Sequence, residues 1–125
     1  MAEESCLSTG DAVCRSEELA ECGLGVRFRV RHFGREEAAF AVRYQGAVRA
    51  YFNRCAHVPT ELDWNHGDFF DSDRRFLICG THGAIYAPDS GQCLGGRCAG
   101  KGLKPLLVVE REGFVYLAGE EVNER

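Results

Sequence analysis

No apolar run in this chain approaches the ~18–20 residues that cross a bilayer. The opening stretch, Met1-Ala2-Glu3-Glu4-Ser5, is acidic, with neither the positive n-region nor the apolar core of a secretory signal. These absences predict a cytoplasmic protein without a membrane anchor. Basic charge is in no excess either: 15 Lys and Arg against 19 Asp and Glu leave a net charge of −4. With no basic run and no interleaving of aromatic and basic residues, a nucleic-acid partner is not expected. The sequence also lacks a Gly-rich dinucleotide loop, the two-His-one-carboxylate set of a mononuclear iron site, internal repeats and a linker. A chain of 125 residues has room for one domain and little more.

What the chain does have is short stretches of period-two alternation. Residues 26–32, 38–44 and 47–53 read as three strands, with Gln45-Gly46 as a tight turn between the last two. Arg27, Arg29 and Arg31 alternate with Val26, Phe28 and Val30, which reads as the solvated face of the first of them. Residues 75–79 and 84–86 form two more strands, and 106–110 with 114–118 close the chain as a hairpin around Arg111-Glu112-Gly113. One or two helical turns are expected over 15–23, with Ser16 as N-cap and Gly23 as stop. Seven or eight short strands with almost no helix predict an all-β fold, a small antiparallel sandwich or barrel. Residues 1–13 read as a flexible N-terminus, 14–118 as the domain and 119–125 as a C-terminal tail.

Two pairs of candidate metal ligands stand out, Cys55-Ala56-His57 and Cys79-Gly80-Thr81-His82, the second followed by Gly83. Each pair offers one thiolate and one imidazole, and each is placed where a strand runs into a loop. Zinc also takes two Cys and two His, but its structural pairs are usually Cys with Cys and His with His. One Cys and one His per loop suits a [2Fe–2S] cluster held by two Cys on one iron and two His on the other. The pattern C-x-H…C-x-x-H-G resembles the Rieske family, over about Cys14 to Leu117. The resemblance implies two cluster-binding loops at one tip of the β fold, with Cys55, His57, Cys79 and His82 as ligands and one Rieske-type cluster as cofactor. It also implies outer nitrogens on His57 and His82 that face a partner protein.

Members of the family in respiratory chains carry an extra cysteine in each loop, joined as a disulfide. Thr60 and Thr81 stand at those positions here, which moves the chain towards the soluble Rieske ferredoxins. The serine and tyrosine that donate to cluster sulfur in the respiratory members correspond to Ala84 and Tyr86, so one donor is lost and Tyr86 is the one retained. A serine restored at Ala84, beside Gly83 at a strand end, is expected to disturb little packing. The covering third loop reads Gly95-Gly96-Arg97-Cys98 in place of the family's Gly-Pro. The segment between the ligand pairs is longer than usual and reads Glu61-Leu62-Asp63-Trp64-Asn65-His66-Gly67; Trp64 is expected to anchor it on the β base and His66 to lie at the surface.

Removing two ligand cysteines from seven leaves Cys6, Cys14, Cys22, Cys93 and Cys98. Without an export signal these read mainly as free thiols, with Cys93 and Cys98 close enough to pair. The implied function is one-electron transfer as a soluble ferredoxin between a reductase and an oxygenase or other terminal enzyme, with no enzymatic activity of its own. A redox-sensing or small-subunit module with the same cluster is the alternative, and a zinc-stabilised β domain a third reading.

Overall fold

The computed structural model describes residues 6–8, 10–32, 35–54, 61–63, 67–80, 83–95 and 102–120. Among the described residues ten strands follow in order: β1 (Cys6–Leu7), β2 (Ala12–Arg15), β3 (Val26–His32), β4 (Arg35–Tyr44), β5 (Ala47–Phe52), β6 (Leu77–Ile78), β7 (Ile85–Tyr86), β8 (Cys93–Gly95), β9 (Pro105–Arg111) and β10 (Phe114–Glu120). Seven form one sheet in the order β1-β3-β4-β5-β9-β10-β2; β6, β7 and β8 form a second, smaller sheet. The two edge strands of the large sheet, β1 and β2, are neighbours in sequence, and the sheet curls into a nearly complete barrel. Gly10 N–H donates to Leu117 O (2.6 Å) and Leu117 N–H to Asp11 O (2.8 Å), which lengthens the pairing of the β2 edge with β10. The fold is all-β, as the alternation predicts. Among the described residues no helix is long and apolar enough to cross a membrane.

Fraying is the expectation for the start of the chain, yet Cys6 and Leu7 pair in parallel with Arg29 and Val30. Leu7 packs into the core beside Val30, and that burial outweighs the polar character of its neighbours. The helical turns foreseen over 15–23 shrink to one 3-10 turn, Ser16–Glu18, capped by Arg15 and not by Ser16. Arg15 N–H donates to the Glu18 carboxylate (2.9 Å). The reason is tertiary: Arg43 on β4 takes the carbonyls of Leu19 (2.8 Å) and Ser16 (3.1 Å), and Cys22 N–H donates to Arg43 O (2.8 Å). Ser16 O still accepts from Leu19 N–H (3.2 Å) within the turn, but Leu19 is extended (φ −111°, ψ 97°) and the chain beyond it is held along β4 instead of winding on.

Arg43 also forms a two-pronged pair with Glu110 on β9, at 2.7 and 3.2 Å. Glu21 in turn accepts from the N–H groups of Gln45 and Gly46. Both central residues of that turn have positive φ, 54° and 79°, as do Glu112 and Gly113, at 53° and 82°. Two-residue turns of this hand match the twist of the strands they join.

Two cores result, one on each face of β4. Ala39 and Ala41 face the barrel interior with Phe28, Val30, Ala50, Leu106, Val115 and Leu117. Phe40 and Val42 face the smaller sheet with Tyr51, Leu62, Phe69, Leu77 and Tyr86. Phe40 stacks on Phe69 at 3.9 Å between ring centroids. Tyr51 donates its hydroxyl to Pro88 O (2.7 Å), which carries its polar atom through an apolar wall.

Between β6 and β7, Gly83 N–H donates to Cys79 O (2.7 Å) and Cys79 N–H to Ala84 O (2.9 Å). Gly83 has φ +76° and nothing within 4 Å of a would-be Cβ. Gly83→Ala is therefore expected to cost about 1–2 kcal/mol through left-handed backbone strain alone, read as a shifted urea midpoint.

The Glu21 carboxyl is held below its ordinary value of 4.5 by the Gly46 and Gln45 N–H groups, and that of Glu110 below 4.5 by its bonds to Arg43. A carboxyl with a depressed folded-state pKa contributes stability above its unfolded pKa and loses it as the pH falls through the folded one. Glu21→Gln and Glu110→Gln should each lower the melting temperature near neutral pH. Each should also flatten the fall in stability below pH 4.5 that the unsubstituted protein shows in pH-dependent thermal melts.

Candidate metal centre

Cys79 leaves β6 fully buried, a thiol among Leu62, Phe69, Ala84 and Tyr86. Its peptide is locked on both sides: Cys79 N–H and O are used within the loop, and Gly80 N–H donates to Leu62 O (2.8 Å). The second ligand loop is thus tied to the segment that follows the first. Cys55, His57 and His82, like Thr60, Thr81, Trp64, His66 and Cys98, lie outside the described residues. Among the described residues there is no group of three or more metal-ligating side chains.

The approach to the first pair runs off the end of β5 through Asn53. This residue is 4% exposed. Its N–H donates to Ala38 O (2.9 Å), its Oδ1 accepts from Leu62 N–H (2.8 Å), and its Nδ2 donates to Asp63 Oδ1 (3.0 Å). The Asp63 carboxylate accepts from Gly67 N–H at 2.8 Å and lies 3.1 Å from Arg27 Nε. Arg27 reaches Glu61 as well, at 2.7 Å. Gly25 N–H donates to Gly67 O (2.7 Å), so both ends of the long inter-ligand segment are pinned to the start of β3 and the residue before it.

Sequence reasoning missed Asn53, Asp63 and Arg27. Alternation assigns Arg27 to a solvated face, but its side chain is only 14% exposed and folds over the segment that carries Asp63. A signal was present in the sequence: an Asn directly after the apolar run of β5, and an Asp directly after a Leu that has to be buried.

Ala84 and Tyr86 are also fully buried beside Cys79. Ala84 is not the roomy strand end that the sequence suggests, and a serine there must find space for one more atom in a closed core. Cys6, Cys14 and Cys22 are free thiols as expected. The Cys14 thiol is pushed up to about 11 by burial and then by Glu18, which keeps it protonated and a poor metal ligand. Cys93, for which the sequence leaves pairing open, is disulfide-bonded. Within β8 it pairs with β7 at Tyr86, so the bond fastens the small sheet close to the candidate centre.

One of the four candidate ligands, Cys79, is therefore placed in detail, at the start of a closed turn and fully buried. The donor set of two thiols and two imidazoles fits an iron–sulfur cluster with mixed ligation.

Comparison with known proteins bears on this centre directly. The sequence model of the Rieske [2Fe-2S] domain matches residues 11–111. Among curated proteins, sequence comparison finds no match. The ferredoxin of carbazole 1,9a-dioxygenase from Nocardioides aromaticivorans IC177 superimposes with a TM-score of 0.69 at 19% identity, covering 90% of this chain and 99% of its own. The Sphingomonas yanoikuyae B1 ferredoxin does so with a TM-score of 0.68 at 18% identity, covering 91% and 100%. The terminal oxygenase of the Nocardioides enzyme matches at 0.69 and 21% identity, over 94% of this chain but 32% of its own. At such identities the likeness speaks for the fold, while the family match spans most of the chain. Fold, ligand order and family match agree: the chain belongs to the Rieske [2Fe-2S] domain family, whose cofactor is a single [2Fe–2S] cluster.

Proposed function

We propose that this chain is a one-electron carrier of the ferredoxin kind, passing electrons from a reductase to an oxygenase or another terminal acceptor. The observation that carries the reading is the ligand pattern Cys55-x-His57…Cys79-x-x-His82-Gly83 on a β scaffold that fixes Cys79 and ties both loop approaches together. Its span supports the same reading: the chain covers nearly all of two ferredoxins but about a third of a terminal oxygenase. One of those ferredoxins serves the same dioxygenase as that oxygenase, which makes an oxygenase the natural acceptor here.

In this reading Cys55 and Cys79 hold one iron and His57 and His82 the other. The cluster, when bound, supplies reversible uptake of a single electron. Imidazoles in place of two thiolates remove negative charge and raise the potential over an all-Cys centre. Burial of Cys79 among Leu62, Phe69 and Tyr86 excludes water from the thiolate side. By its match to the family's tyrosine, Tyr86 would donate its hydroxyl towards the sulfur ligands, a bond that favours the reduced, more negative state.

Protein purified without oxygen should contain two iron and two sulfide per chain. Cys55→Ser and Cys79→Ser should yield colourless protein, while His66→Ala should leave iron content and the visible spectrum unchanged. Colourless wild type holding one zinc would overturn the assignment.

Tyr86→Phe should lower the reduction potential and Ala84→Ser should raise it. A hydrogen bond is worth roughly 1–1.5 kcal/mol, and ~59 mV corresponds to about 1.4 kcal/mol for one electron, so each shift should be some tens of millivolts by voltammetry. The serine variant should also lose about 1 kcal/mol or more of stability, because Ala84 is enclosed. Rapid reduction and reoxidation by a reductase and an oxygenase added in catalytic amounts would support the carrier role. Stoichiometric co-purification with one enzyme, with no exchange, would favour a fixed subunit.

A further inference from the structure

Two hydrogen bonds connect the approaches to the two ligand loops through a single residue, Leu62. The side-chain oxygen of Asn53, two residues before Cys55, holds the N–H of Leu62. The carbonyl of the same Leu62 holds the N–H of Gly80, one residue after Cys79. The other end of the Asn53 amide donates to Asp63, and that carboxylate is gripped by Gly67 N–H and Arg27 Nε.

Position 53 demands an acceptor and a donor on one short, buried side chain, and an amide carries them on two separate atoms where a hydroxyl has a single oxygen for both. An Asp there would set a second carboxylate against Asp63, and a Leu would leave Leu62 N–H and one Asp63 oxygen unpaired. The Asp63 side chain is 0% exposed yet ionic, an expensive choice where an apolar residue would pack as well. A buried ion pair with every oxygen engaged fixes geometry more than it adds stability.

We infer that Asn53, Asp63 and Arg27 are positioning residues that set the separation of the two ligand loops, with Leu62 as the link between them. This rests on the assignment of Cys55, His57, Cys79 and His82 as the cluster ligands. None of the three positioning residues touches the cluster in this account; they act through the loops that do.

The test compares Asn53→Ala with Val115→Ala, a substitution in the other core, at denaturant concentrations that match their global stabilities. In Asn53→Ala, loss of the cluster to an iron chelator should be about tenfold faster than in wild type, since an unpaired buried donor costs that much. The electron paramagnetic resonance lines of its reduced form should broaden, and exchange protection of the Gly80 amide should fall. Val115→Ala should stay within about twofold of wild type with unchanged line shape, as expected for sites acting independently. Should Asn53→Ala fail to fold, Asp63→Asn keeps the shape of the network while removing the charge opposite Arg27, and the same readouts apply. Equal rates and equal line shapes for the two variants at matched stability would overturn the inference. Wild-type protein devoid of iron and sulfide would instead overturn the ligand assignment, which the iron analysis registers before any variant is compared.

Discussion

Strand β4 has to satisfy two cores at once, and the rest of the molecule is arranged around that requirement. Ala39, Phe40, Ala41 and Val42 are all essentially inaccessible, with alanines towards the barrel and the large side chains towards the smaller sheet. Small residues on one face let the barrel close tightly. Bulky ones on the other fill the space between β4 and the segment that carries the ligand loops. Burying a side chain such as Phe40 contributes about 1.5–3 kcal/mol, and here that energy fastens the metal-bearing layer to the scaffold. The centre is therefore built on a shared wall, not on a loop hung from a finished barrel.

Over that wall the loops are organised by polar groups. Asn53 and Asp63 bond to each other and to the backbone N–H groups of Leu62 and Gly67, and Arg27 pairs ionically with Asp63. Apolar packing tolerates small slippage, whereas a paired amide and carboxylate do not, because any shift leaves a buried group unpaired. A cluster that takes ligands from two separate loops needs that kind of intolerance.

Much of this was legible in the sequence, and the exceptions share one cause. Strands β3, β4, β5, β9 and β10 announce themselves because alternation is a local property, and the turn at Gln45-Gly46 because turn chemistry is local too. The ligand pattern was visible because its chemistry lies in residue type and order. What was hidden depends on distant partners. Arg27 looks like a solvated residue until Asp63, far along the chain, folds against it. The helical turns over 15–23 are undone by Arg43. Ala84 looks open from its flanking glycine, and is enclosed in a core cluster to which other segments bring Leu62 and Phe69. The N-terminal β1 is two residues long and pairs with a strand it could not identify by pattern alone.

That same short β1 has a consequence for behaviour in crowded solution. A seven-stranded sheet that stops short of closure presents two rims of unpaired backbone, the usual template for strand-to-strand aggregation. Here one rim is a two-residue strand and the other a four-residue strand, joined by the few residues that bridge the gap. Neither offers a neighbouring molecule a long ladder to extend. The opening residues of the domain thus act as a selvedge, finishing both borders of the sheet with a single thread of chain.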